Sequence, residues 1–325
     1  MIFRYYHFSL YLCKCKPPVV AFLLHSTTLT SCDARTIITN NMRRLFLICA
    51  FLLALVICAQ QPADRCVPVI LTAGQSNADG RVSLAELPTE FQTYKYCLWS
   101  YGSGDFETAT GQFVPFSPRV AKPGIERSWG FDAVVYKRFE QLWQQPFYVI
   151  KHTDGGTAID PACQSSTHGL YWSADPAFLD STLSASHGGR SLLKAFERQI
   201  DDCLPNLPEN YDIKVLIWHQ GESDQRAADR YYDNLKAVVQ HIRQHLVAVT
   251  GQQRYAYLPV VCGTYAKGSR MRSQQVVDAL YRIEQEDAHF FVVDAADLPL
   301  LPDRLHFNAQ GAIELGQRIF ARLLQ

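Results

Sequence analysis

Short apolar runs alternate with longer amphipathic stretches from Pro68 to the C-terminus. The runs are continuously apolar, as in strands that are buried on both faces of a parallel sheet. They predict five strands, at residues 69–73, 147–151, 214–218, 257–262 and 290–294. The amphipathic stretches predict helices at residues 131–143, 191–203, 228–249, 273–284 and 309–324. Strands that alternate with helices in this way indicate an α/β fold with a doubly wound, parallel, five-stranded sheet.

Two long segments, residues 81–127 and 157–189, lack a regular apolar pattern. Both are rich in Gly, Pro, Ser and aromatic residues, which predicts loops. Ordered loops of this length in a compact domain are usually functional. We therefore interpret both segments as functional loops rather than as linkers, and no second domain is predicted.

The N-terminal region has the pattern of an export signal. An arginine pair, Arg43 and Arg44, precedes an apolar run at residues 45–59, which turns polar at Gln60. This arrangement is typical of a signal peptide. A membrane-spanning helix needs roughly 20 apolar residues, so the run is too short for a transmembrane anchor. The pattern predicts a signal peptide at residues 42–59 and an exported protein, periplasmic or extracellular.

The segment before Met42 carries charged residues inside its apolar stretch and shows no clean periodicity. We interpret residues 1–41 as an extension upstream of the true start, outside the fold. Bulky Ile57 precedes Cys58, where a lipoprotein signal would have a small residue, so lipid anchoring at Cys58 is not favoured. The rest of the chain, residues 66–325, has the length of a single domain with a full core.

Composition excludes several classes of partner and cofactor. The chain has 31 basic and 31 acidic residues, so no charge excess favours nucleic acid or an anionic membrane. Five cysteines follow the predicted signal peptide, without the C-x-x-C spacing of a zinc site. Their odd number allows a disulfide but leaves at least one thiol, and most of them fit buried small side chains. No metal ion or cofactor is predicted.

Polar clusters follow the predicted strands at the points where the strands end. The clusters are residues 74–77 after the first strand, 154–157 after the second, 219–224 after the third and 303–306 shortly after the fifth. In an open parallel sheet, ligands bind outside the carboxyl ends of the strands. We therefore expect the four clusters to meet at one edge of the sheet.

The clusters contain the side chains that a nucleophilic attack on an ester carbonyl needs. Ser76 lies on a tight turn after the first strand, and its hydroxyl attacks efficiently when a neighbouring base accepts its proton. His306 is the predicted base. A carboxylate must hold the histidine in the correct tautomer, and Asp303 and Glu222 are both candidates for that acid.

The negative charge that develops on the carbonyl oxygen needs fixed hydrogen-bond donors. The backbone amides of Ser76 and Gly156 and the side chain of Gln220 are candidates for this oxyanion hole. Each signal alone is also typical of an ordinary turn or strand end. The order and placement of the signals together indicate acyl transfer from an ester.

Four motifs resemble those of the SGNH hydrolases, and within them the sialate O-acetylesterase and acetyl-xylan esterase group of carbohydrate esterases. In the family's order, the motifs are Gly74-Gln75-Ser76-Asn77, Gly155-Gly156-Thr157, Trp218-His219-Gln220-Gly221-Glu222 and Asp303-x-x-His306. The resemblance implies a flavodoxin-like three-layer fold, a Ser-His-acid mechanism without a cofactor, and an acetylated carbohydrate as substrate. It also implies that Gln220 stands where other SGNH hydrolases carry an oxyanion-hole asparagine. In one departure, Ala78 and Asp79 follow Asn77, where the family often has Met and Gly.

Contacts with a sugar are predicted beside the serine and in the long segments. Gln75 and Asn77 flank Ser76 and are candidates for substrate binding. Trp129 and Trp172 lie in or beside the long segments. Exposed aromatic faces at these positions would suit sugar rings, whereas buried ones would anchor the loops.

Two other functions are compatible with this fold and chemistry. One is a catalytically inactive carbohydrate-binding protein, since a fold does not dictate activity. The complete set of Ser76, His306 and two acids argues against it. The other is an O-acetyl transferase, which passes the acetyl group to another sugar hydroxyl rather than to water and which the same residues would support.

Overall fold

The computed structural model describes residues 66–103, 106, 107, 111–120, 124–163 and 169–325. Its strands are β1 (Val67–Gly74), β2 (Val82–Ser83), β3 (Cys97–Ser103), β4 (Phe106–Glu107), β5 (Val114–Pro115), β6 (Ser128–Trp129), β7 (Phe147–Thr153), β8 (Tyr211–His219), β9 (Val260–Gly263) and β10 (Phe290–Val293). Its α-helices are α1 (Ser76–Asp79), α2 (Phe131–Trp143), α3 (Pro176–Ser181), α4 (Leu192–Cys203), α5 (Tyr231–Thr250), α6 (Gln274–Glu286) and α7 (Ala309–Leu323). The extension at residues 1–41, the signal peptide at residues 42–59 and Cys58 lie outside the described residues.

β1 lies in the middle of the main sheet, between two parallel neighbours. Gly74, at its carboxyl end, is opposite Thr153 of β7 and His219 of β8. The sheet follows the order β10-β9-β8-β1-β7-β3-β4, a path of seven strands, and β5 also pairs with β3. Neighbours from β10 to β3 are parallel, whereas β4 and β5 run antiparallel to β3. The α/β prediction is confirmed, but the prediction of five strands is wrong.

The sequence analysis missed three strands of the main sheet, β4, β5 and the longer β3, all within a segment predicted to be a loop. The longest of them is β3. Its sequence contains Ser100, Gly102 and Ser103, which interrupt the apolar run. Non-local packing buries it nevertheless, because β3 pairs with β7 and the ring of Trp99 meets that of Phe116 edge-on with centroids 4.9 Å apart. Tertiary contacts therefore decide this strand, not its own apolar pattern.

Helices cover both faces of the sheet, and successive strand residues point to opposite faces. Leu71 of β1 packs in the core formed with α4, α5 and α6, whereas the adjacent Ile70 packs in the core formed with α2 and α7. This alternation follows from the period of two of a strand. The predicted three-layer arrangement is therefore confirmed.

Helix boundaries follow local capping and turn chemistry. The helix predicted from Ser191 begins at Leu192, because the Ser191 side chain accepts a hydrogen bond from the amide of Lys194 and caps it. The helix predicted from Ala228 begins at Tyr231, after a 3₁₀ segment at Glu222–Ala227. Within the described part of the chain, no helix combines the length and apolar character that crossing a bilayer requires.

Candidate active site

Ser76 is held at the carboxyl end of β1 by backbone contacts with β8. Gly74 has a φ of +145°, and a Cβ atom there would lie 2.1 Å from the carbonyl oxygen of His219. Only glycine fits this close approach and this backbone conformation. The amide of Gln75 then donates to the same carbonyl at 2.9 Å. The chain turns sharply after β1 and presents Ser76 as the first residue of α1, with 5% of its surface exposed.

The glycine pair after β7 lies against the serine. A Cβ atom on Gly155 would be 3.4 Å from Cβ of Ser76 and 2.5 Å from Nη2 of Arg81. The amide of Asp154 donates to the carbonyl of Gly74 at 3.1 Å, which ties this segment to the end of β1. The structure therefore brings the second predicted cluster beside Ser76 through Gly155, and Gly156 is the next residue along the chain.

His306 and Asp303 lie on a turn between β10 and α7. Nδ1 of His306 is 2.6 Å from Oδ2 of Asp303. Oδ1 of Asp303 accepts hydrogen bonds from the amides of Leu305 at 2.9 Å and His306 at 3.1 Å. Partial burial acts to raise the pKa of Asp303, but these amides and the imidazole outweigh it, so the pKa lies below its ordinary value. An ionised carboxylate thus holds Nδ1 and leaves Nε2 for another partner.

Asn77 connects the serine helix to the histidine turn. Its Oδ1 accepts a hydrogen bond from the amide of Phe307 at 3.2 Å, and its Nδ2 donates to the carbonyl of Leu305 at 3.4 Å. Leu305 and Phe307 flank His306, and Asn77 follows Ser76 directly. The first and fourth predicted clusters therefore meet at one edge of the sheet.

Glu222 lies beside Asn77 and not beside the ring of His306. Its Oε1 accepts a hydrogen bond from Nδ2 of Asn77 at 2.8 Å and is 3.6 Å from Nε2 of His219. Burial acts to raise the pKa of Glu222, but His219 and Asn77 outweigh it, so the pKa lies below its ordinary value. Of the two predicted acids, Asp303 contacts His306, and Glu222 contacts Asn77 and His219.

The amide of Gln220 is engaged inside the protein. Its Nε2 donates to the carbonyl of Thr157 at 2.9 Å and to Oδ2 of Asp224 at 2.6 Å. A side-chain amide nitrogen carries two hydrogens, and both are directed at these acceptors. Gln220 is fully buried. These contacts contradict the prediction that Gln220 donates to an oxyanion, and they give it the role of joining the third cluster to the Thr157 loop.

The other side chain predicted to flank the substrate, Gln75, is directed away from solvent. Its Oε1 accepts hydrogen bonds from the amides of Gly221 at 3.3 Å and Ser223 at 3.4 Å. Only 2% of Gln75 is exposed. The structure therefore gives Gln75 the role of holding the loop after β8, and contradicts its prediction as a substrate contact.

Trp129 and Trp172 are core residues. Both are fully buried, so neither presents a face to a sugar ring. Nε1 of Trp129 donates to the carbonyl of Ser83 at 3.0 Å, and the ring of Trp172 meets Trp218 edge-on with centroids 5.2 Å apart. The prediction that these two residues bind the substrate is therefore wrong, and they anchor the loops instead.

Trp172→Ala is expected to lower the free energy of unfolding by about 3–5 kcal/mol, because it removes a large buried ring. The KM of the folded enzyme for a soluble acetyl ester should stay within about 2-fold of the wild-type value. Denaturant unfolding and steady-state kinetics measure the two quantities. Tyr257→Ala, at an exposed side chain, is the control and should change stability by no more than about 0.5 kcal/mol. A raised KM with unchanged stability would restore the sugar-binding role.

A buried charged cluster beneath α1 was missed by the sequence analysis. Asp79 is fully buried. Its carboxylate accepts hydrogen bonds from Tyr101 at 2.5 Å, Thr153 at 2.9 Å and Arg81 at 2.7 Å. The signal in the sequence was Lys151, a charge inside an apolar run, and its Nζ donates to the carbonyl of Asp79 at 3.1 Å. The cluster explains how α1 accommodates the buried carboxylate of Asp79.

The described sheet and all four clusters fall within one family match. Residues 67–325 match the model of the family described as carbohydrate esterase, sialic acid-specific acetylesterase. The chain belongs to this family. The predicted resemblance to the SGNH-type carbohydrate esterases is therefore confirmed.

Two solved structures resemble this esterase in fold. A protein from Arabidopsis thaliana has a TM-score of 0.58 and 19% sequence identity, over 80% of this chain and 98% of that one. The protein NanS has a TM-score of 0.56 and 15% identity, over 80% of this chain and 97% of that one. At these identities the similarity concerns the fold. Among proteins with curated descriptions, none matches the chain.

Proposed function

We propose that this carbohydrate esterase removes O-acetyl groups from a carbohydrate through an acetyl-enzyme formed on Ser76. The observation that carries the proposal is the bridge between the nucleophile and the base. Asn77 bonds the residues on both sides of His306, and Asp303 holds Nδ1 of that histidine at 2.6 Å. This arrangement supports a serine, a histidine and an acid acting together.

In the proposed reaction, Oγ of Ser76 forms a bond to the acetyl carbonyl carbon while Nε2 of His306 accepts the serine proton. Asp303 stabilises the imidazolium that results. The backbone amides of Ser76 and Gly156 donate to the carbonyl oxygen as it becomes negative. The ester C–O bond then breaks, and the sugar oxygen takes the proton from His306. Water repeats the sequence on the acetyl-enzyme and releases acetate.

The test is a panel of acetylated xylan, acetylated mannan, O-acetylated sialic acid and a chromogenic acetate, with free acetate measured. The wild-type protein should release acetate from at least one of the carbohydrates. Acetylation of an added acceptor sugar, in place of acetate release, would identify a transferase. Carbohydrate binding without release of acetate would identify an inactive binding protein.

We also propose that the protein is exported and that its mature chain begins near Gln60. The support is the arginine pair before the apolar run at residues 45–59. Intact mass spectrometry of the protein from its native cell is expected to show a chain without residues 1–59. A cytoplasmic product that retains residues 45–59 would contradict the proposal.

A further inference from the structure

The amide group of Asn77 is shared between two parts of the site. Its Nδ2 donates to Oε1 of Glu222 at 2.8 Å and to the carbonyl of Leu305 at 3.4 Å, while its Oδ1 accepts from the amide of Phe307 at 3.2 Å. Asn77 is 6% exposed, so water does not readily replace a lost partner. The position of the His306 turn relative to α1 therefore depends on which way this amide faces.

An asparagine amide has nearly the same shape when its nitrogen and oxygen exchange places. An ionised carboxylate is only an acceptor, so Glu222 favours the orientation in which Nδ2 faces it. The reverse orientation would direct Oδ1 of Asn77 at a carboxylate and Nδ2 at the amide N–H of Phe307. Glu222 thus fixes the orientation that lets Asn77 accept from the His306 turn.

The surroundings of Glu222 suit a fixed acceptor. Gly221 has a φ of +135°, and a Cβ atom there would lie 2.1 Å from the hydroxyl of Tyr265, so this turn requires glycine. The Glu222 side chain is 2% exposed, and its Oε1 lies 3.6 Å from Nε2 of the fully buried His219. This turn therefore places the carboxylate against Asn77, in a buried site beside His219.

We propose that Glu222 is a positioning residue, which acts through Asn77 to hold His306 at the position from which it accepts the proton of Ser76. The proposal rests on the proposed function and extends it to a side chain outside the Ser76, His306 and Asp303 set. It also accounts for a carboxylate in the Gln-Gly-Glu motif that makes no contact with the ring of His306.

A reciprocal exchange of donor and acceptor tests this role. Asn77→Asp keeps the acceptor for Phe307 but places one carboxylate against another. Glu222→Gln removes the charge and admits both amide orientations. Combining Asn77→Asp with Glu222→Gln restores an N–H···O bond between the two positions, with reversed polarity and the same total charge. A merely structural role for Glu222 does not predict that the combined variant recovers kcat.

We expect Asn77→Asp to lower kcat on a soluble acetyl ester about 10²-fold, since a displacement of roughly 1 Å between reacting groups has that effect. Glu222→Gln should lower kcat about 10-fold, and KM should stay within about 2-fold in both variants. The double variant should recover at least about 10-fold of the kcat lost in Asn77→Asp. A double variant no faster than Asn77→Asp overturns the proposal. A change in KM alone also overturns it and makes Asn77 a substrate contact.

Hydrogen exchange at the amide of Phe307 tests the same contact without relying on catalysis. In a Ser76→Ala background, Glu222→Gln should speed this exchange about 10-fold, as expected when a hydrogen bond worth roughly 1.4 kcal/mol is weakened. Unchanged exchange overturns the positioning role whether or not any ester is hydrolysed. Failure of the proposed function would show separately, as a wild-type protein that releases no acetate or a Ser76→Ala variant that retains activity.

Glu140→Gln is the matched control, because Glu140 is also a buried carboxylate that accepts hydrogen bonds. Its Oε2 accepts from the amides of Lys95 and Tyr96, both at 2.7 Å, on α2 and away from the four clusters. This variant should lower stability and leave kcat within about 2-fold of the wild-type value. If Glu222→Gln likewise lowers only the stability and leaves kcat unchanged, the proposal fails. If Asn77→Asp does not fold, Glu222→Gln and the exchange measurement still decide the question.

Discussion

Ser76→Ala is expected to lower kcat for acetyl ester hydrolysis roughly 10⁶-fold, as loss of the nucleophile does in a serine hydrolase. The hydroxyl of Ser76 is the atom that would carry the acetyl group, and none of the contacts described above supplies a second nucleophile to replace it. The fold should be retained, because the backbone bonds of Gln75 and Gly80 that define α1 do not use this hydroxyl. Steady-state kinetics on a chromogenic acetate and circular dichroism measure the two outcomes.

A serine-reactive phosphonate provides the complementary measurement. It should label the wild-type protein at Ser76 and leave Ser76→Ala unlabelled. Ser100→Ala is the matched control, since Ser100 is also a buried serine but lies on β3, where its Oγ accepts from Nε2 of Gln199 at 3.2 Å. Labelling at a serine other than Ser76, or a Ser76→Ala variant with full activity, would remove Ser76 from the proposed role.

The centre of the fold could be predicted because its strands carry their own signal. β1, β7 and β8 are buried on both faces, so their sequences are continuously apolar over most of their length. β9 begins three residues later than predicted, since Gln253–Tyr257 forms a 3₁₀ helix and Pro259 lacks an amide hydrogen for the ladder. Local turn chemistry, which an apolar run does not show, set that boundary.

The sequence was enough to predict that the four polar clusters lie together at one edge of the sheet. It was not enough to predict which side chains contact each other there. Ser76 and His306 follow strand ends, and the topology of a parallel sheet is enough to bring such residues to one edge. The direction of a side chain is not specified in this way. The ring of Trp172 faces the core because it packs edge-on against Trp218 of β8. The side chain of Gln220 faces Thr157 and Asp224 because the loop that contains Thr157 folds over the end of β8. Both directions depend on contacts with residues distant in sequence, Trp218 for Trp172 and Thr157 for Gln220.

Asp303→Asn is expected to lower kcat about 10⁴-fold, the loss typical when the acid of such a triad becomes an amide of the same shape. The asparagine oxygen would still accept from the amides of Leu305 and His306, so the turn should persist. The asparagine nitrogen would instead donate to Nδ1 of His306. The ring would then carry its proton on Nε2, where it is unable to accept the proton of Ser76.

The size of this loss relative to that of Glu222→Gln decides which carboxylate is the acid. Asp303→Asn should reduce kcat about 10³-fold more than Glu222→Gln, because Asp303 bonds His306 directly and Glu222 acts through Asn77. The reverse order would transfer the role to Glu222, and two mild losses would mean that each acid covers for the other.

The pKa of Asp303 is lowered in the folded protein, so its carboxylate is ionised above that pKa and its charge is lost only as the pH falls through it. In the wild-type protein, the charge-assisted contact of Asp303 with His306 should therefore persist on acidification until the pH falls through this lowered pKa. Asp303→Asn should lower the whole pH profile rather than shift only its acid limb.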